Sequence, residues 1–165
     1  MKDARKRITI GDTMDMMTTM GPLVSAAQLK TVGGYVDAGK GEGAECVLGG
    51  DRPANMKKGY YFNPTIFAGV TPSMRLAQEE IFGPVLSVIQ VRSFDEAIRV
   101  NNGVKYGLSS SIYTRDVNQG FRALQDLDNG ISYVNAPTIG AEAHLPFGGV
   151  KQTGNGHREG GWEVY

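Results

Sequence analysis

From Ser25 onward, apolar residues recur first at helical and then at strand spacing, with small and turn-forming residues at the boundaries. Ser25-Ala26-Ala27-Gln28 has the form of a capping box, and Leu29, Val32 and Val36 follow on one helical face. Gly41 or Gly43 is expected to end this helix. Glu45-Cys46-Val47-Leu48 reads as a short strand stopped by Gly49-Gly50. Residues 60–67 are aromatic and β-branched, and Pro64 within them predicts an edge strand or a bend. Residues 85–91 are almost wholly apolar, as in a strand covered on both faces. Ser93-Phe94-Asp95-Glu96 is a second capping box, turning Phe94, Ala97 and Ile98 inward and stopping at Gly103. Residues 108–113 form a further strand. Asp116 then caps a third helix whose predicted core stripe is Val117, Phe121, Leu124 and Leu127, ended by Asn129-Gly130. Ile131-Ser132-Tyr133-Val134 returns as a strand.

Strand, helix, strand, helix and strand over residues 84–134 predict an α/β fold, a mostly parallel sheet joined by crossover helices. Ligands of such sheets sit outside the carboxyl ends of the strands. The loop of residues 135–147, with Glu142 and His144, is therefore the expected functional loop. Its length of 165 residues makes the chain one domain's worth. Lys and Arg (17) balance Asp and Glu (17), so no net field draws nucleic acid or an anionic membrane. No apolar run approaches the roughly 18 residues of a membrane span. Met1 to Arg7 are basic but lead into no apolar segment, unlike a secretory signal. One cysteine makes no internal disulfide, which points to a reducing compartment, the cytoplasm. The 23 glycines are about twice average usage. Some read as helix stops, and the cluster near the C-terminus predicts close backbone approach. Met14, Met16, Met17 and Met20 read as gap-fillers against a neighbouring surface rather than a metal site.

The chemistry-bearing residues do not form a complete catalytic set. Cys46 lies in a short apolar run without a cationic neighbour in sequence, which reads as packing rather than a nucleophile. His144 and His157, with Glu142 and Glu159, lack the spacing of a metal site. Gly154-Asn155-Gly156-His157-Arg158-Glu159-Gly160 departs from the dinucleotide fingerprint, and residues 149–153 from a phosphate-binding loop. Glu79 and Glu80 are adjacent, so their side chains are expected to point apart rather than share a proton. Residue types alone make Glu80 a solvated loop end beside a core strand.

Gln78-Glu79-Glu80-Ile81-Phe82-Gly83-Pro84-Val85 resembles a motif of the aldehyde dehydrogenase superfamily. The likeness continues through residues 101–108, Val134-Asn135 and residues 146–156, and upstream through Gly21-Pro22-Leu23-Val24 and the helix from Ser25. This resemblance implies that residues 1–165 correspond to the later part of the catalytic domain. The nucleotide-binding domain, nucleophilic cysteine, general-base glutamate and oxyanion asparagine of the family would then precede Met1. It further implies NAD or NADP as cofactor, with Glu80 holding the nicotinamide-ribose hydroxyls and Phe82 beside the nicotinamide. Gln28 matches a residue near the same ribose in some relatives, while its capping-box position offers a structural role instead. Phe147 and the preceding loop would line the aldehyde's entry funnel, and Ala141, Glu142 and His144 resemble the loop of semialdehyde-oxidising members. A broad-range aliphatic aldehyde is the other substrate reading. The expected partners are an aldehyde and either a homo-oligomer or the complementing remainder of the enzyme. A stand-alone binding or subunit-interaction module derived from the family is the alternative function.

Overall fold

The computed structural model describes residues 7–156 and 159–160. The basic opening residues 1–6, and His157 and Arg158 in the glycine-rich tail, lie outside the described residues. The chain divides into two compact units, Met1–Gln90 and Val91–Tyr165.

In the first unit, helix α1 (Ala26–Gly41) starts where the capping hydroxyl sits: Ser25 Oγ accepts a hydrogen bond from the Gln28 amide at 3.1 Å. It ends at Gly43, whose φ of +94° lets the chain turn so that Ala44 N–H donates to the Gly39 carbonyl. Strands β1 (Glu45–Leu48), β2 (Thr65–Ala68) and β3 (Val85–Ser87) form one sheet in that order, antiparallel between β1 and β2 and parallel between β2 and β3. Helix α2 (Arg75–Gln78) lies between β2 and β3 in sequence. Val32 and Val36 of α1, Phe67 of β2 and Leu76 of α2 make the core with Phe62 and Val70.

Two expectations change here. The segment after Pro64 is the central strand, not an edge. Pro64 lies just outside the ladder, and Thr65 supplies the first donor, to the Pro84 carbonyl at 2.8 Å, so no paired position lacks an N–H. The apolar run after Pro84 is not covered on both faces either. Only Val85–Ser87 is strand, and Leu86 stands 50% exposed on the wall of a cavity that Ile8 and Met20 also line.

The second unit contains α3 (Phe94–Asn102), β4 (Tyr106–Gly107), β5 (Ser109–Ile112), α4 (Val117–Asp126), β6 (Ile131–Val134) and β7 (Val150–Lys151). Ser93 caps α3 through the Glu96 amide, and the Glu96 carboxylate reaches back to the Arg92 N–H. Strands β5 and β6 pair in parallel across α4, the crossover unit expected from the alternation, and β4 pairs with β7 antiparallel. The fold is α/β throughout. Helix α4, however, is turned over relative to the predicted stripe. Ala123 is 0% exposed and Gly120 is buried, whereas Val117 and Phe121 are 67% and 63% exposed. A Cβ added at Gly120 would meet Val134 Cγ1 at 3.5 Å, so the helix settles onto β6 through its smallest side chains. Gly120 and Ala123 form the inward face with half-buried Leu127, the one residue of the predicted stripe that does turn inward, while Val117, Phe121 and Leu124 face out.

Candidate functional site

The turn after α2 separates the two adjacent glutamates. Glu79 is tied into a network: Tyr35 Oη donates to its Oε2 at 2.8 Å, and the Arg75 guanidinium donates to both carboxylate oxygens at 3.1 and 2.9 Å. Arg75 also lies over the Tyr35 ring, 5.0 Å from its centre. Donation to the carboxylate pushes the Tyr35 phenol above its ordinary range, and the same carboxylate raises the Arg75 guanidinium. Glu80, the next residue, is exposed, and its carboxylate has no hydrogen bond or ion pair among the described residues. One glutamate braces the end of α2, and the other is available.

Phe82 follows in the left-handed region, with φ of +53°, and its ring is largely exposed. Aromatic residues seldom adopt that conformation, and residues that do cluster at ligand sites. The turn is held from α1. Gln28 Nε2 donates to the Ile81 carbonyl at 2.9 Å and to the Phe82 carbonyl at 3.0 Å. Only half of the capping box therefore forms: Ser25 caps, and Gln28 spends its amide hydrogens on the turn 53 and 54 residues away. Gly83 then presses on Val32, where any Cβ would overlap a valine methyl. A cavity of about 410 Å³ opens beside Gly83 and Pro84, walled by Met20, Pro22 and Phe62. Met14, Met16 and Met17, expected to pack against a neighbouring surface, are exposed within this chain on a loop turned by Asp12 and Asp15.

The second unit carries the remaining candidates. Asn135 ends β6 with φ of +54°, and its side chain bridges the Thr114 N–H and carbonyl at 2.9 and 3.0 Å. Ala141, Glu142 and His144 are exposed on the loop that follows, and the Glu142 carbonyl accepts from the Leu145 N–H. Phe147 is fixed by paired backbone hydrogen bonds with Glu159, both 2.6 Å. It borders a cavity of about 340 Å³ with Leu108, Thr153 and Glu159. The expected close approach of glycines is present, since a Cβ at Gly130 would overlap the Gly148 carbonyl. Two features carried no sequence signal. Lys151 has φ of +58°, and its ammonium donates to the Asn102 and Val104 carbonyls at 2.9 and 3.2 Å and pairs with Asp128 at 3.1 Å. Tyr35 serves Glu79 from 44 residues away.

Cys46 is half-buried in β1, and its thiol donates to the Leu48 and Gly49 carbonyls at 3.5 and 3.7 Å. Among the described residues, no group of His, Cys, Asp and Glu is arranged to hold a metal, and no helix is long and apolar enough to cross a membrane.

Comparison with known proteins places these features in a wider set. The family model described as "Aldehyde dehydrogenase family" matches residues 1–165. An alpha-ketoglutaric semialdehyde dehydrogenase of Bacillus subtilis is 44% identical over 158 residues, covering 94% of this chain and 32% of that protein. A betaine aldehyde dehydrogenase of Rhizobium etli is 43% identical, with 94% and 32% covered. Among solved structures, betaine aldehyde dehydrogenase from Staphylococcus aureus in complex with NAD+ superposes with a TM-score of 0.92 at 36% identity, over 99% of this chain and 33% of that one. An aldehyde dehydrogenase of Mycobacterium tuberculosis complexed with NAD+ gives 0.90 at 37% identity, over 96% and 32%. The chain thus spans about a third of the length of the relatives it matches.

Proposed function

Since the chain belongs to the aldehyde dehydrogenase family, we propose that it is the later part of a catalytic domain in an NAD(P)-dependent enzyme that oxidises an aldehyde to a carboxylate. The observation that carries this reading is the turn at Glu80: an exposed carboxylate, without a partner among the described residues and backed by a braced helix end. A carboxylate accepts two hydrogen bonds from a vicinal diol, so Glu80 fits the nicotinamide ribose, and exposed Phe82 offers an aromatic face beside it. The cofactor, when bound, supplies the hydride acceptor. Residues of this chain orient it: Glu80 accepts from the ribose hydroxyls, and Phe82 packs at the nicotinamide end. Phe147, with Ala141, Glu142 and His144 on the preceding loop, lines the substrate's approach. The attacking thiolate comes from another part of the polypeptide, because Cys46 is half-buried in β1 with its sulfur turned toward the Leu48 and Gly49 carbonyls. The assembled enzyme is cytoplasmic and acts as a homo-oligomer. A carboxylated semialdehyde is the favoured substrate class, in keeping with the Bacillus subtilis relative.

The test is reduction of NAD or NADP with semialdehydes and aliphatic aldehydes. The full-length enzyme is expected to turn over, and Glu80→Gln to slow hydride transfer with the fold unchanged. The 165-residue chain alone is expected to be inactive. Turnover by that chain, or an unimpaired Glu80→Gln enzyme, overturns the reading. Steady binding of a protein partner by a chain with no catalytic counterpart would favour the interaction module instead.

A further inference from the structure

The Gln28 amide is the only side-chain group among the described residues that bonds the Ile81 and Phe82 carbonyls, and it bonds both. These carbonyls flank a residue in a conformation that costs free energy for anything but glycine or a short polar side chain. Phe82 gains little compensation from burial, since the residue is 74% exposed. Without an external hold, the peptide planes on either side of Phe82 would rotate toward an ordinary extended or helical setting. Glu80, two residues earlier on the same turn, would move with them. The clamp itself is well anchored. Its Cα lies in the first turn of α1, where the Ser25 cap fixes the Gln28 backbone, and Val32 one turn later bears on Gly83.

We infer that Gln28 is a positioning residue: its amide holds Phe82 in the left-handed conformation and thereby sets Glu80 and Phe82 for the cofactor. The amide nitrogen is directed at two protein carbonyls at once, which ties both peptide planes around Phe82 to one side chain. This role rests on the reading of Glu80 as the ribose contact, and the experiment separates the two. Gln28→Leu keeps the apolar stem and removes the donors. In the full-length enzyme, loss of two backbone-directed hydrogen bonds is expected to slow single-turnover hydride transfer about tenfold. Affinity for adenosine monophosphate, which lacks the nicotinamide ribose, is expected to stay within about twofold. Combining Gln28→Leu with Glu80→Gln should slow the reaction little beyond the worse single variant, because one residue acts through the other.

A crystal structure of Gln28→Leu supplies the readout that does not depend on turnover, and Phe82 should leave the left-handed region. An unchanged Phe82 conformation overturns the inference, and so does hydride transfer within about twofold of the parent when Glu80→Gln is clearly slower. Equal loss of adenosine monophosphate affinity also overturns it, since that marks general damage. If Phe82 relaxes yet Glu80→Gln is unimpaired, the clamp stands and the ribose assignment of Glu80 falls.

Discussion

Replacing Gly83 with alanine tests how firmly the Phe82 turn is seated on α1. The added Cβ would overlap Val32 Cγ2 and lie 3.3 Å from Cγ1. Val32 is 0% exposed and sits within a helix, where valine has one strongly preferred rotamer, so it cannot swing aside. Gly83 is not among the glycines with positive φ, so the cost is steric rather than conformational. Overpacking a buried contact by one methyl costs roughly 1–3 kcal/mol, and with a rigid neighbour about 2 is expected. Val32→Ala removes two buried methyls, at about 0.8 kcal/mol each plus a cavity term, or about 2 kcal/mol altogether. In the double variant the new methyl at position 83 enters the space vacated at position 32. The loss should then be about 2 kcal/mol rather than the additive 4, a coupling of about 2 kcal/mol. Equilibrium urea unfolding of the parent, both singles and the double, followed by circular dichroism, measures all four values. Losses that add to within about 0.5 kcal/mol would refute the contact.

Three further outcomes follow from the same geometry. Tyr35, raised from 10.0 by donating to Glu79, contributes stability that is fully present below pH 10 and is lost as pH rises through its higher folded value. Melting temperatures between about pH 7 and about pH 11 should therefore fall more gently at the alkaline end for Tyr35→Phe than for the parent, and parallel profiles would count against the bond. On α4, Phe121→Asp should change unfolding stability by less than about 0.5 kcal/mol, whereas Ala123→Leu should cost about 2 kcal/mol, the reverse of the order expected if Phe121 faced the core. The isolated chain, with Val117, Phe121 and Leu124 bare, should self-associate in light scattering at tens of micromolar, and Phe121→Asp should reduce it. A monodisperse parent would contradict that.

Element positions were largely legible because they rest on short-range chemistry. Ser25, Ser93 and Asp116 each cap the helix that follows, through the Gln28, Glu96 and Asn118 amides. The parallel β5–α4–β6 unit follows from its alternation of strand and helix. What an element packs against is a long-range matter, and there the pattern misled. Residues 117, 121 and 124 and residues 120, 123 and 127 both recur at helical spacing. The bulkier set suggests a core, but contact with β6 requires the smaller one. The outward apolar face on α4 and half-exposed Leu86 on β3 are surfaces that the described residues of their own units leave open to solvent. In a chain spanning about a third of its relatives' length, size ranking is a poor guide to which stripe is inside.

The candidate site divides along the same line. Adjacent Glu79 and Glu80 were expected to part, and they do, because Tyr35 and Arg75 capture the first. The capture could not be read locally for Tyr35, which lies 44 residues away. Nothing in the run Ile81-Phe82-Gly83 announces a left-handed phenylalanine, since glycine is the residue that adopts this conformation freely and Gly83 stands next to it. Val32 explains why the glycine is used otherwise: position 83 must be glycine for space, which leaves position 82 to make the turn. Position 28 then answers the strain at position 82 with its two hydrogen bonds. A capping-box glutamine, a buried valine one helical turn on, and an aromatic residue in an unfavourable conformation thus form one device. If Gly83→Ala relieves its clash by shifting the turn rather than Val32, it should also break the Gln28 bonds. Its defect in hydride transfer would then match that of Gln28→Leu, whereas a purely local repacking would lower stability and leave the rate alone.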